Sequence, residues 1–165
     1  MAAESQETDR STLQQVLGLV VWLICCFAAA ALGAFFPPDD WYAGLTKPAW
    51  SPPDKVFGPV WTVLYTCMAV AAWLLWRQRQ VVAKRLPLGV FGVQLGLNAT
   101  WSWLFFGLHR IDLALLNIGM LLVAVAATAI LFSRYSIAAG LLLVPYLAWV
   151  AFATALNVAF WQLNG

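Results

Sequence analysis

Five long apolar runs separated by short polar breaks set the pattern of this chain. Residues 13–36 carry no charge and end at Pro37-Pro38, a pair that stops a helix. Residues 57–76 form the second run, with Pro59 in the first turn, where its missing N–H is no loss. Residues 86–108 follow, opened by Pro87, then 113–132 and 137–163, with a kink predicted at Pro145. Each run has about 20 residues or more, enough for a helix to cross a hydrocarbon core of roughly 30 Å. The expected architecture is an all-α membrane protein. Residues 1–12 form a polar tail, and residues 13–165 a single five-helix transmembrane domain.

The connections are unequal. Those near His109 and Arg134 are tight, whereas the first is long and unusually aromatic. Residues 41–65 hold three tryptophans, two tyrosines and four prolines. Leaving such rings wetted costs roughly 1.5–3 kcal/mol for each large side chain. The stretch is therefore expected to fold as an ordered lid over something apolar, and the one long ordered loop of a bundle usually serves function.

Composition strengthens the membrane reading. The chain of 165 residues is 63% hydrophobic and 10% charged, against about 25% charged in a soluble domain. Its net charge of +2 and lack of a basic stripe exclude a nucleic-acid partner. Charge also orients the bundle. Arg10, Arg77, Arg79, Lys84, Arg85 and Arg134 fall on one side; Lys47, Lys55 and Arg110 fall on the other. The N-terminus is expected on the cytoplasmic-type side and the lid opposite it. Cys25, Cys26 and Cys67 read as small buried hydrophobes without metal-ligand spacing.

Helical phase groups the residues of each run into faces. In the second run Phe57, Trp61, Leu64, Tyr65 and Met68 share a stripe. In the third, Gln94, Asn98, Trp101, Ser102 and Phe105 fall together. Gly89, Gly92 and Gly96 lie roughly opposite, as a dimer seam or as close packing within the bundle. In the fifth, Pro145, Trp149, Ala153, Leu156 and Phe160 align, flanked by Tyr146 and Asn157. Polar groups at membrane depth need partners. Asn98 and Ser102, beside Trp101 and Phe105, predict a mostly apolar pocket with a few orienting groups, or interhelical hydrogen bonds. Of the ten tryptophans, Trp41, Trp50, Trp61, Trp101 and Trp149 lie in the lid or on these stripes; the others fit interfacial belts or packing.

Catalytic signatures are missing: no Ser/His/Asp set, no phosphate loop, no metal-spaced cluster and no charge deep in a run. That argues against an ion pump, a channel and acid–base hydrolysis. His109 reads as an interfacial cap or anchor, and Asp39 and Asp40 as partners of Lys47 or as solvated groups.

Four motifs, lying in the first connection and in the second, third and fifth runs, resemble those of the TspO/translocator protein family, also called tryptophan-rich sensory proteins or peripheral-type benzodiazepine receptors. They are W-Y-x-x-L-x-K-P-x-W-x-P-P at 41–53, F-x-P-V-W-x-x-L-Y at 57–65, Q-L-x-L-N-x-x-W-S-x-L-F-F-G at 94–107 and P-Y-L-A-W-x-x-F-A-x-x-L-N at 145–157. The resemblance implies a five-helix bundle, often a homodimer in membrane lipid, with a ligand pocket under the first loop. It implies porphyrin or haem-type tetrapyrroles, cholesterol-like lipids and benzodiazepine-type drugs as ligands, with no obligatory cofactor. Carried over by motif, the pocket uses Trp41, Tyr42, Pro52, Trp61, Tyr65, Asn98, Trp101, Ser102, Trp149 and Ala153. No Lys or Arg follows Tyr146, which departs from the cholesterol pattern of animal members. The expected function is a tetrapyrrole receptor or carrier, with Lys47 a possible propionate contact or loop cap. The alternatives are light-dependent porphyrin degradation through Trp61 and Trp149, or a structural adaptor.

Overall fold

The computed structural model describes residues 11–78 and 84–165, all in helices and their connections. Helix α1 (Thr12–Ala34) starts with a capping box: Gln14 N donates to Ser11 Oγ, and Ser11 N donates to Gln14 Oε1. The first connection contains a short helix, α2 (Asp40–Gly44), and a single 3₁₀ turn (Asp54–Val56) that leads into α3 (Phe57–Trp76). Beyond these come α4 (Arg85–Ser102), α5 (Ile111–Ser133), α6 (Ile137–Leu142) and α7 (Val144–Asn164).

Two of the expected runs are interrupted. The run at 86–108 leaves α-helical geometry after Ser102 and widens into a π turn at Trp103–Gly107. There Leu108 N donates to Trp103 O at 2.8 Å, and Arg110 N to Leu104 O at 3.0 Å. Gly107 permits this ending: a Cβ there would come within 2.8 Å of the Phe36 ring at the end of the α1 segment. The run at 137–163 is broken rather than kinked, because the chain stops α6 and restarts as α7 with Pro145 in its first turn. Pro145, placed on the inward stripe by its spacing, is exposed; Tyr146 takes the inward position and is fully buried. A proline without an N–H belongs at a helix start, and that start fixes which neighbour turns inward.

Helix α1 packs on α3 and α4, α4 on α5, α5 on α6 and α7, and α6 on α3. The α1–α3 approach is close because position 18 is glycine: a Cβ there would sit 2.3 Å from the Trp76 indole. Nearby, Trp73 Nε1 donates to Gln15 O at 2.9 Å. The core runs through Leu64, Met68, Phe91, Val125, Phe132 and Val150. Cys26 is buried as expected, but Cys25 is exposed, since adjacent helical positions point about 100° apart.

Among the described residues, four helical segments are long and apolar enough to cross a membrane: Thr12–Ala34, Asp54–Trp76, Ile111–Ser133 and Ile137–Asn164. Their outward faces carry large apolar side chains, including Val16, Ile24, Val63 and Val123. Lipid, not water, is the solvent that such faces require. This is an integral multi-pass membrane protein.

Candidate functional site

Three helices meet at Asn98. On α3, the Tyr65 hydroxyl donates to Asn98 Oδ1; on α7, the Tyr146 hydroxyl accepts from Asn98 Nδ2 at 2.8 Å. All three side chains are buried. A second bridge lies farther along α4: Trp101 Nε1 donates to Asn157 Oδ1 at 3.0 Å, and Asn157 Nδ2 donates to Ile111 O at 3.2 Å. The amides thus satisfy one another's neighbours instead of facing lipid, where an unpaired polar group is costly.

Aromatic rings line this polar seam. Trp61 lies 5.6 Å from Tyr65 and 6.2 Å from Tyr146 between ring centroids. Trp149 meets Phe57 edge-on at 5.7 Å and Phe152 at 5.5 Å; the lid contributes Trp50, 5.7 Å from Phe152. Ala153 packs at the margin of the same cluster. Within this ring-lined region the buried Trp149 Nε1 has no hydrogen-bond partner, an orphan it shares with Gln94 Oε1 and Asn117 Oδ1 among the described residues.

The lid is seated on a second cluster. Tyr42 is buried against Phe105, Phe106 and Phe160. Trp41 meets Phe105 edge-on at 5.8 Å and stacks on His109 at 4.3 Å. The π turn helps here, because it presents both Phe105 and Phe106 to Tyr42. Trp101 stacks on Phe105 at 5.0 Å and joins the two clusters.

Polar clasps hold the lid at both ends. Asp39 caps α2 by accepting from Tyr42 N at 3.1 Å, and its other oxygen lies 2.9 Å from His109 Nε2. Of the two alternatives left open for Asp39, pairing with Lys47 or solvation, neither describes it fully: it meets His109, and Lys47 Nζ sits 4.0 Å over the Tyr42 ring. The Tyr42 N–H holds the Asp39 carboxyl below the usual carboxylate range, helped by His109 and opposed by partial desolvation. At the far end, Thr46 N donates to Asn164 Oδ1 at 2.8 Å, and Asn164 Nδ2 donates back to Thr46 O at 3.0 Å. His109 adopts φ 54°, a left-handed conformation that turns the chain sharply between α4 and α5.

The residues expected at the site are therefore distributed. Trp61, Tyr65, Trp149 and Ala153 belong to one cluster, to which Asn98 is hydrogen-bonded through Tyr65 and Tyr146; Trp41 and Tyr42 belong to the lid cluster; Trp101 is shared. Pro52 is half-buried in the lid. Ser102 turns toward α1, its Oγ 3.2 Å from where a Cβ on Gly33 would stand. Tyr146, a flanking position in the sequence pattern, is a central one in the fold. The stripe Tyr146, Val150, Ala153, Asn157 and Phe160 has the same helical period as the Pro145 stripe and is the signal that reveals it. Nothing local signals the Asp39–His109 or Thr46–Asn164 contacts, whose partners are 70 and 118 positions apart.

A multi-pass helical membrane protein with a clasped aromatic lid and an interior of tyrosines, tryptophans and paired amides is the class that these features define. The TspO/MBR family model matches residues 21–162, and the chain belongs to that family. It is 38% identical over 149 residues to protein CrtK of Rhodobacter capsulatus, covering 87% of this chain and 91% of CrtK. It is 42% identical over 126 residues to the human translocator protein, covering 75% of each. It is 40% identical over 152 residues to the tryptophan-rich protein TspO of Archaeoglobus fulgidus, covering 90% of this chain and 98% of that one.

Proposed function

We propose that this protein is a membrane receptor or carrier for flat, largely apolar ligands, tetrapyrroles above all, bound among α3, α4 and α7 beneath the lid. Trp61 and Trp149 supply ring faces, and Tyr65, Asn98 and Trp101 supply the polar seam. Ala153 leaves room beside Trp149, and Trp41, Tyr42 and Pro52 belong to the cover. Tyr146 joins this set; Ser102, facing α1, serves helix packing. The observation that carries the reading is Trp149 Nε1, a buried donor without a protein acceptor among aromatic rings. Buried donors normally have partners, and a ligand nitrogen or oxygen would provide one while the macrocycle stacks on the indoles. Family membership supports the ligand class. Relatives named translocator protein and tryptophan-rich sensory protein make transport and sensing the two roles to compare.

In this reading all five long helical segments cross the bilayer, α4 included; its Gln94, Asn98, Thr100 and Ser102 lower its hydropathy. The lid faces the side carrying only Lys47, Lys55 and Arg110, while Arg77, Lys84, Arg85 and Arg134 mark the cytoplasmic-type side with the N-terminus. Arg10 and Arg79, which also entered the charge count, lie outside the described residues. Two copies associate through Gly89, Gly92 and Gly96, where an added Cβ meets nothing within 4 Å.

Tryptophan-fluorescence quenching by protoporphyrin IX tests the site. Trp149→Phe keeps an aromatic face, though a smaller one, and deletes the orphan donor, so affinity should fall roughly threefold to tenfold. The double change Trp61→Ala and Trp149→Ala should abolish saturable quenching. Unaltered affinity in both proteins refutes the placement.

A further inference from the structure

A second feature lies outside the helical interior. A cleft of about 420 Å³ opens along the seam where the lid meets the α4–α5 turn and the end of α7. Trp41 and Leu45 form its lid wall, His109 and Arg110 its turn wall, and Trp161 and Asn164 its α7 wall. Its volume falls within the roughly 300–1,000 Å³ of small-molecule sites.

The polar side chains of the seam are largely paired with one another. Both oxygens of Asp112 are occupied by Arg110, from Nε at 2.8 Å and Nη2 at 2.6 Å. Asp39, beside the cleft, has one oxygen on Tyr42 N and the other on His109. The Asn164 amide oxygen takes Thr46 N. Each of these oxygens already holds a donor. Arg110 carries five N–H donors, and these two bonds leave its Nη1 hydrogens for another acceptor. Asp112 keeps Arg110 firmly charged, raising its pKa further. The turn is held in place by the Arg110 N–H on Leu104 O and by the stacking of His109 on Trp41. The Nη1 hydrogens of Arg110, held between two indole walls, suit an acceptor on a flat apolar body, with Asp112 the neighbouring anion that opposes it. Both side chains of the Arg110–Asp112 pair are about half exposed, at 53% and 47%, so the anion stays at the water-facing edge.

We infer that this seam is a second ligand station, which recognises the carboxylate edge of the tetrapyrrole through Arg110 while the macrocycle lies against Trp41 and Trp161. The inference rests on the tetrapyrrole reading above. It assigns carboxylate recognition to Arg110 rather than to Lys47, whose ammonium lies over the Tyr42 ring.

The test compares protoporphyrin IX with its dimethyl ester, which keeps the macrocycle and lacks the anions. Binding to the purified full-length protein in detergent is followed by tryptophan quenching for the wild type, Arg110→Gln and Asp112→Asn. Arg110→Gln should weaken the diacid roughly threefold to tenfold and leave the ester within about twofold. Asp112→Asn removes a competing anion and should bind the diacid at least as tightly as the wild type. Equal losses for acid and ester in Arg110→Gln, no loss for either, or weaker diacid binding in Asp112→Asn overturns the inference. A wild type that binds neither compound takes down the tetrapyrrole reading itself. A wild type that binds both, with Arg110→Gln unchanged for both, removes only the seam station.

Discussion

Asn98→Leu removes the amide that joins Tyr65 on α3 to Tyr146 on α7 while keeping the branched outline of the side chain, with two methyls in place of the amide oxygen and nitrogen. Two hydrogen bonds disappear, the one from the Tyr65 hydroxyl and the one to the Tyr146 hydroxyl at 2.8 Å. Both hydroxyls stay buried, because their rings are packed in the core. Stranding a buried polar group in a soluble protein costs about 1–3 kcal/mol. Side-chain hydrogen bonds inside membrane proteins couple more weakly, by about 0.6 kcal/mol on average and up to about 1.7. Two bonds at the membrane values give a loss of about 1–3 kcal/mol for Asn98→Leu. Tyr65→Phe and Tyr146→Phe each delete one hydroxyl together with its bond and should lose about 1 kcal/mol or less. The diagnostic protein is Tyr65→Phe/Asn98→Leu/Tyr146→Phe, in which no stranded group remains, so it should be more stable than Asn98→Leu alone. Reversible unfolding in mixed detergent micelles, followed by circular dichroism, gives all four free energies. If the three losses simply add, the seam is not a coupled network and the reasoning fails.

Three further outcomes are expected. The depressed pKa of Asp39 means that its contribution to the lid clasp is complete above the unfolded carboxylate value and is lost as pH falls through the lower folded value. Hydrogen exchange at Tyr42–Thr46, corrected for intrinsic rates, should stay level down to about pH 4 and rise below it. Asp39→Asn keeps a capping side chain and should make that profile flat; a wild-type profile that is already flat sinks the assignment. Gly18→Val should destabilise the fold by about 1–3 kcal/mol, because its Cβ would stand 2.3 Å from Trp76; detergent unfolding decides, and an unchanged midpoint contradicts the close α1–α3 crossing. Gly92→Leu with Gly96→Leu should leave monomer stability nearly unchanged, since both sites are open, yet convert dimers to monomers in a mass measurement in mild detergent; dimers that persist would place the seam elsewhere.

Much of the architecture follows from one-dimensional information because lipid imposes a one-dimensional rule. A segment that crosses hydrocarbon must satisfy its backbone internally, so apolar length and helix-stopping prolines are enough to mark where α1, α3 and α5 lie. Helical phase likewise placed Tyr65, Met68, Gln94 and Asn98 on inward stripes and Gly89, Gly92 and Gly96 opposite Asn98, since residues about 100° apart sort into faces whatever surrounds them. Phase does not say which face meets which. Only the packed helices decided that Asn98 bonds two tyrosines, that Ser102 sits against Gly33, and that α7 begins late enough to bury Tyr146 and expose Pro145. The lid shows the same division. Its aromatic content announced that it must pack, because wet indoles and phenols are costly. Its two clasps, Asp39 with His109 and Thr46 with Asn164, join residues far apart in the chain. Such contacts carry no local periodicity. They exist only because the helix ends that bear them are brought to one side of the bundle.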